Sequence, residues 1–105
     1  MDLGLEGLGR YAGPALVVLV SLADGPKHGY AIMEESERLS GARLGPGTLY
    51  AVLARLEQRG LIEALPAEAR RRPYRLTAAG STALTAHLSS LRRLATTGLQ
   101  RLAAT

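Results

Sequence analysis

Apolar positions fall into separate blocks along the chain, and the block from Gly45 to Gly60 has the clearest start, stripe and stop. Leu49, Val52, Leu53 and Leu56 recur at i, i+3, i+4 and i+7, which predicts a helix with four large apolar side chains on one face. Pro46 suits the first helical position, where its missing N–H would be unpaired anyway, and Gly45 can serve as N-cap. Gly60 fits the left-handed position just past the end. The other side carries Thr48, Ala51 and Arg55 on one line, with Gly47, Ala54 and Gln58 beside it. That low, polar surface suits a large flat-sided partner, although taken alone the pattern also describes an ordinary amphipathic helix.

Upstream, Met1 to Arg10 has leucines at 3, 5 and 8, but Gly4, Gly7 and Gly9 each cost about 1 kcal/mol in a helix. It reads as a weak helix or an N-terminal arm. Gly13 and Pro14 then open Ala15 to Ala23, an apolar run whose β-branched residues also permit a strand; the context selects a buried helix. Asp24, Gly25 and Pro26 end it. Lys27 to Tyr30 lead into a short amphipathic helix, Ala31 to Leu39, with Ile32, Met33, Ser36 and Leu39 on one face. Ser40 to Leu44 turns the chain into the Gly45–Gly60 helix, giving helix, short helix, turn, helix: the layout of a helix-turn-helix unit.

Downstream, Leu61 to Leu65 and Tyr74 to Thr77 are short strand candidates. Pro66 and Pro73 bracket their connection, which predicts a two-stranded edge hairpin, because proline gives no ladder donor. Its tip holds Arg70, Arg71 and Arg72, three adjacent cations that repel one another unless an anion sits among them; a solvated charged tip is the plain alternative. From Ala78 the pattern is one long helix with Thr77 as N-cap. Leu84, Leu88, Leu91, Ala95, Gly98 and Leu102 repeat with the heptad spacing of paired helices, and Leu94 and Leu99 widen the stripe. A helix over 78–105 would run ~42 Å, more than a domain this small can cover. Its first two turns are expected on the domain's own core and the remainder against a second copy.

Composition sharpens the choice of partner. The chain has 105 residues, a formal charge of +4 and a pI near 10.1, and every basic residue except Lys27 is arginine, the side chain suited to gripping phosphate bidentately. Nucleic acid is therefore the first partner to test. There is no cysteine, so neither a disulfide framework nor a thiolate metal site is available. Ala15 to Ala23 is too short to span a membrane, and acidic Asp2 and Glu6 in the N-terminal stretch argue against a secretory signal. A cytoplasmic protein is the default expectation.

Catalytic and cofactor patterns fail one by one. Gly45 and Gly47 could begin a dinucleotide fingerprint, but Tyr50 stands where the third glycine belongs and no parallel-strand unit precedes it. The phosphate-loop ending is missing as well. His28 and His87 lie in different elements with no acidic ligand at metal spacing. No serine sits in a nucleophile elbow, and Glu34, Glu35 and Glu37 crowd one solvated helix face. The expectation is no catalytic residue, no metal and no cofactor.

Three ordered blocks carry a resemblance: Gly-Pro-Lys-His-Gly-Tyr-Ala-Ile at 25–32, Leu-Gly-Pro-Gly-Thr-Leu-Tyr through Arg-Gly-Leu-Ile at 44–62, and Arg-Arg-Arg-Pro-Tyr-Arg-Leu-Thr at 70–77. Together they resemble the PadR family of transcriptional regulators, over Ala15 to about Leu84 by motif. The resemblance implies a fold that is mainly α with a small β-hairpin: a winged helix-turn-helix over 1–77 and a long C-terminal dimerisation helix over 78–105. It also implies a bacterial regulator, usually a repressor, with some members released by a small ligand. Position by position, Thr48 and Tyr50 match the Gly-Thr-Leu-Tyr motif at the DNA-facing start of the recognition helix, Tyr30 matches a tyrosine near the DNA backbone, and Arg70 to Arg72 match the basic wing. Gly45 departs from the serine often found as N-cap. The drug-stacking aromatic of some members has no counterpart in Ala78 to Thr105.

The expected function is thus a homodimeric repressor on a palindromic double-stranded DNA operator. Gly47, Thr48, Ala51 and Arg55 would face the major groove; Lys27, His28, Tyr30 and Tyr50 would hold phosphates; Arg70, Arg71 and Arg72 would reach the backbone or minor groove. Leu84, Leu88, Leu91, Ala95, Leu99 and Leu102 would form the dimer interface, with any small hydrophobic effector between the two copies. A protein-interaction adaptor on the same scaffold is the alternative, since fold does not fix function. Only the DNA binder would lose affinity steeply with salt.

Overall fold

Ala15, Val18 and Leu19 are buried on a helix that runs through the middle of the core, and the other helical elements pack around it. The structure is a computed structural model and describes residues 5–105; Met1 to Gly4 of the expected N-terminal arm lie outside the described residues. A 3₁₀ segment, Leu5–Tyr11, broken at Gly9, leads into α1 (Ala12–Ser21). Then follow β1 (Lys27–His28), α2 (Gly29–Ser40), α3 (Pro46–Gln58), β2 (Ile62–Ala64), β3 (Pro73–Leu76) and α4 (Ala78–Ala103). The apolar run chosen as a helix over a strand is α1, although it starts earlier than Ala15, with Pro14 in its first turn.

The stripe on α3 does what its spacing predicts. Leu49, Val52, Leu53 and Leu56 are all buried in one cluster with Ile32 of α2, Leu61, Ile62, and Ala83 and Leu84 of α4. At roughly 1.5–3 kcal/mol for each fully buried large apolar side chain, that face is the main anchor of the helix. Gly45 is extended at the N-cap, Pro46 is the first helical residue, and Gly60 takes φ +72, where a side chain would be strained. On α2 the expected apolar face ends at Ser36. Leu39, assigned to the same face, is 47% exposed, because it sits in the last turn before the chain turns away at Gly41 in a left-handed conformation.

The hairpin gains a third strand. β3 lies between β1 and β2, antiparallel to both, with Ile62 opposite Leu76, Ala64 opposite Tyr74, and Tyr74 also opposite Lys27. Pro73, expected on an edge strand, thus opens the central one. Proline is tolerated there because it is the first residue of the strand; its carbonyl accepts from the Leu65 N–H at 2.8 Å. A two-residue strand at Lys27–His28 carries too little periodicity to be read from sequence.

α4 is capped as predicted: the Thr77 hydroxyl accepts from the Gly80 N–H at 3.0 Å. The same hydroxyl donates to the Gly60 carbonyl at 2.6 Å, and the Thr77 N–H donates to the Leu61 carbonyl at 3.1 Å. These bonds bring the start of α4 so close to the strand entry that a Cβ on Gly80 would lie 1.9 Å from the Leu61 oxygen. The core therefore continues past Thr77 into Gly80, Ala83 and Leu84. Gly80→Ala should lower the unfolding free energy by about 1 to 3 kcal/mol through backbone overpacking. Gly13→Ala, where nothing lies within 4 Å, should be neutral or slightly stabilising. Urea denaturation of the two variants checks this; equal stabilities would mean that α4 lifts off Leu61 freely.

Candidate nucleic-acid interface

Rotation of α3 decides what it shows to solvent, and two polar contacts reinforce its apolar anchor. Ser36, fully buried on α2, donates from its hydroxyl to the Met33 carbonyl at 2.6 Å and accepts from the Leu44 N–H at 3.0 Å, tying the turn before α3 to α2. With α3 held so, Gly47, Tyr50, Ala54 and Gln58 are exposed. Thr48 and Arg55 are half-buried on one flank, and Ala51, half-buried too, lies between that flank and the outermost line. The Arg55 guanidinium packs 4.4 Å from the centre of the Tyr11 ring and donates to the Ala51 carbonyl at 3.0 Å. Of the residues expected to face the groove, Gly47 lies fully outward and Arg55 is folded back.

On the other flank the expected backbone-holding residues meet. His28, Tyr30, Tyr50 and Arg70 to Arg72 line one cleft of about 250 Å³, with Gly29 and Tyr74 completing it. Gly29 lets the Tyr50 ring lie close against α2: a Cβ there would lie 2.8 Å from the Tyr50 hydroxyl and would push that ring aside. Tyr74 points in from the central strand. Burial pushes its phenol above the ordinary tyrosine range, Glu57 and Tyr50 add to the rise, and so it stays protonated and able to donate. Sequence reading missed Gly29 and Tyr74 as site residues. The signal for Tyr74 was its place at the foot of the arginine run, on the face of a strand whose register only the third strand reveals.

The wing tip is a tight turn in which Glu68 and Arg71 exchange backbone hydrogen bonds at 2.6 and 2.8 Å. Ala69 and Arg70 between them both have positive φ, 47 and 68, the backbone of a primed hairpin turn filled without glycine or asparagine. Such non-glycine residues carry strain of order 1 kcal/mol each. The turn spreads the three arginines: Arg71 donates to the Nε2 of His28 at 3.2 Å, while Arg70 and Arg72 have no carboxylate partner among the described residues. Arg75, lower on the strand, is neutralised by Glu63 directly opposite it at 2.5 Å. Lys27, expected as a phosphate contact, has internal partners in this structure. Its ammonium binds the Asp24 carboxylate and the Ser21 carbonyl and lies 3.7 Å from Glu35, so an internal carboxylate pair holds it away from the cleft.

Along α4, Leu88, Leu91, Leu94, Leu99 and Leu102 are exposed, the last at 72%. Ala95 is exposed with them. Leu84, the expected start of the intermolecular seam, is only 3% exposed and belongs to the domain core, because α4 enters against Leu61. The free seam thus begins at Leu88. Among the described residues no helix is long and apolar enough to cross a membrane, and no group of three or more His, Cys, Asp or Glu side chains is placed to hold a metal.

A helix-turn-helix of α2 and α3, a wing of β2 and β3 and an appended C-terminal helix define a winged-helix transcriptional regulator. The chain belongs to the transcriptional regulator PadR-like family, whose sequence profile matches residues 18–86, in agreement with the resemblance of the three motif blocks. It is 51% identical over 79 residues to an uncharacterized 37.1 kDa protein in transposon TN4556 of Streptomyces fradiae, covering 75% of this chain but 23% of that protein. It is 43% identical over 83 residues to the transcriptional regulator Rv3488 of Mycobacterium tuberculosis, covering 76% of this chain and 77% of the relative. The fold matches the X-ray structure of a PadR-like transcription factor from Bacteroides fragilis with a TM-score of 0.77 at 22% identity, over 90% of this chain and 95% of that one.

The Arg55–Tyr11 contact is measurable. A double-mutant cycle of Arg55→Ala and Tyr11→Ala, followed by denaturant unfolding, should give a coupling of about 0.5 to 1 kcal/mol, the range for a partly exposed cation–π pair. Strict additivity would mean that Arg55 swings free in solution.

Proposed function

We propose that this protein is a sequence-specific double-stranded DNA-binding regulator, acting as a homodimeric repressor on a palindromic operator. The observation that carries the reading is the convergence of Tyr30, Tyr50, Tyr74, His28 and the three wing arginines on one cleft beside the exposed face of α3. Arginine forks and phenol hydroxyls are phosphate-holding groups, and they stand next to a helix whose outward face, Gly47, Ala54 and Gln58, is flat enough to approach base edges. The phosphates would fix the register and α3 would read the groove. His28 would act by holding Arg71 and Lys27 by bracing the β1 corner, so neither need touch DNA directly.

The dimer reading rests on the exposed leucines of α4. At about 25 cal/mol per Å² of apolar surface, pairing two such helices is favoured over leaving them in water. A two-fold dimer presents its recognition helices about 34 to 36 Å apart and so calls for a symmetric operator. A small hydrophobic effector, seated between the two α4 helices against leucine and alanine, would release the DNA by changing their spacing.

Two experiments test these statements. Replacing Arg70, Arg71 and Arg72 together with alanine should weaken binding alike on operator and random duplex and flatten the log–log salt slope by about 0.9 for each phosphate no longer gripped. Thermal stability should hardly move, since the side chains are exposed; a slope as steep as wild type would take the wing off the phosphates. Leu91→Asp with Leu102→Asp should give monomers in sedimentation that bind a half-site weakly. A wild-type chain already monomeric at micromolar concentration would sink the dimer and the symmetric operator with it.

A further inference from the structure

The flank of α3 away from the wing carries a second cationic cluster. Arg10 and Arg55 approach the same ring, with guanidinium carbons 5.1 and 4.4 Å from the centre of Tyr11, and Arg10 also donates to the Tyr11 hydroxyl at 3.1 Å. Neither arginine has a carboxylate partner among the described residues. Two like charges close to one ring repel, and the ring relieves only part of that; an anion held beside both would relieve the rest. The hydrogen bond and charge of Arg10, joined by the charge of Arg55, lower the Tyr11 phenol from its ordinary range despite partial desolvation. Arg10, Tyr11, Pro14 and Thr48 line a shallow concavity of about 390 Å³, and Arg55 packs on the Tyr11 ring at its side.

Placement gives the cluster its meaning. At about 100° per residue, the outward centre of α3 lies among Gly47, Ala51, Ala54 and Gln58, with Tyr50 about 70° to one side and Arg55 about 70° to the other. The wing cleft and the Arg10–Tyr11–Arg55 cluster therefore bracket the exposed face of α3 nearly symmetrically. A helix about 10–12 Å across in a major groove about 12 Å wide has a phosphate strand along each flank. Resting on the DNA-binding reading above, we propose that Arg10, Tyr11 and Arg55 form a second phosphate-gripping site. It takes a backbone phosphate of the DNA strand opposite the one held by the wing cleft. Arg55 is then a backbone contact that sets register, and base readout falls to the exposed line of α3.

The test is the salt dependence of binding to random-sequence duplex and to the duplex the protein protects in its own promoter region. Arg10→Gln and Arg55→Gln should each flatten the log–log slope by about 0.9, with the same fold-loss on both duplexes, while Arg10→Lys and Arg55→Lys retain the slope because they retain the charge. Tyr11→Phe, which keeps the ring, should also retain it. Arg10 is exposed, so its variant keeps the fold, and thermal melts confirm this for Arg55. Unchanged slopes in both glutamine variants, with the wing variant still flattened, would overturn the second site and leave the DNA-binding reading standing. Weakening on the promoter duplex alone, confined to one base position, would make Arg55 a base reader and also overturn it. A wild-type protein with no salt-dependent binding would instead overturn the DNA-binding reading itself.

Discussion

Burial of Leu49, Val52, Leu53 and Leu56 fixes the rotation of α3, and nearly every functional statement depends on that one constraint. A rotation of one residue, about 100°, would carry an anchoring leucine into water at roughly 1.5–3 kcal/mol for each side chain exposed. Once the rotation is set, Tyr50 must face the wing and Arg55 must face the 3₁₀ segment. The hydrogen bonds of Ser36 and the left-handed Gly60 act at the two ends of the helix, holding its entry and exit without adding to its face.

The chain places its aromatic residues on the two flanks of α3. It has four tyrosines and neither phenylalanine nor tryptophan, and its interior is filled by leucine, isoleucine, valine and alanine. Three tyrosines line the wing cleft and the fourth carries two arginines. Tyrosine suits a boundary where one end of the ring packs and the other meets polar groups. The basic residues follow the same division: Arg75 and Lys27 lie close to carboxylates and stiffen the sheet, while Arg70 and Arg72 stand free at the tip.

Much of this fold was legible because its strongest signals are local. The stripe, proline and glycines of α3 give its ends to within a residue or two, and Thr77 marks the start of α4. What the sequence hid depends on contacts between distant segments. A two-residue strand at Lys27 has no period to detect, and the partners of the lysine, Asp24, Ser21 and Glu35, come from three separate positions along the chain. Helical spacing puts Thr48, Ala51 and Arg55 on one line, but it cannot show that the ring of Tyr11 folds Arg55 back. Leu84 belongs to the heptad by spacing and to the core by position, a distinction that periodicity cannot draw. Gly80 reads as an ordinary helical glycine until the fold sets the Leu61 carbonyl against it.

α4 combines a buried start with an exposed apolar remainder in a single element. Its first two turns supply Gly80, Ala83 and Leu84 to the core, so the domain is incomplete without them. The remaining turns carry apolar side chains outward on the same rigid rod, and whatever covers those leucines is mechanically connected to Leu61, β2 and the wing. A partner that binds only the folded state adds stability by mass action, which matters for a chain of 105 residues with one modest core. Two copies joined through α4 would also convert capture of the second DNA half-site into an intramolecular step, raising avidity with no new contact to DNA. In that arrangement the stiffness of the α4 entry, set by the Thr77 cap and the close approach at Gly80, fixes how faithfully a change of spacing between helices reaches the two recognition faces.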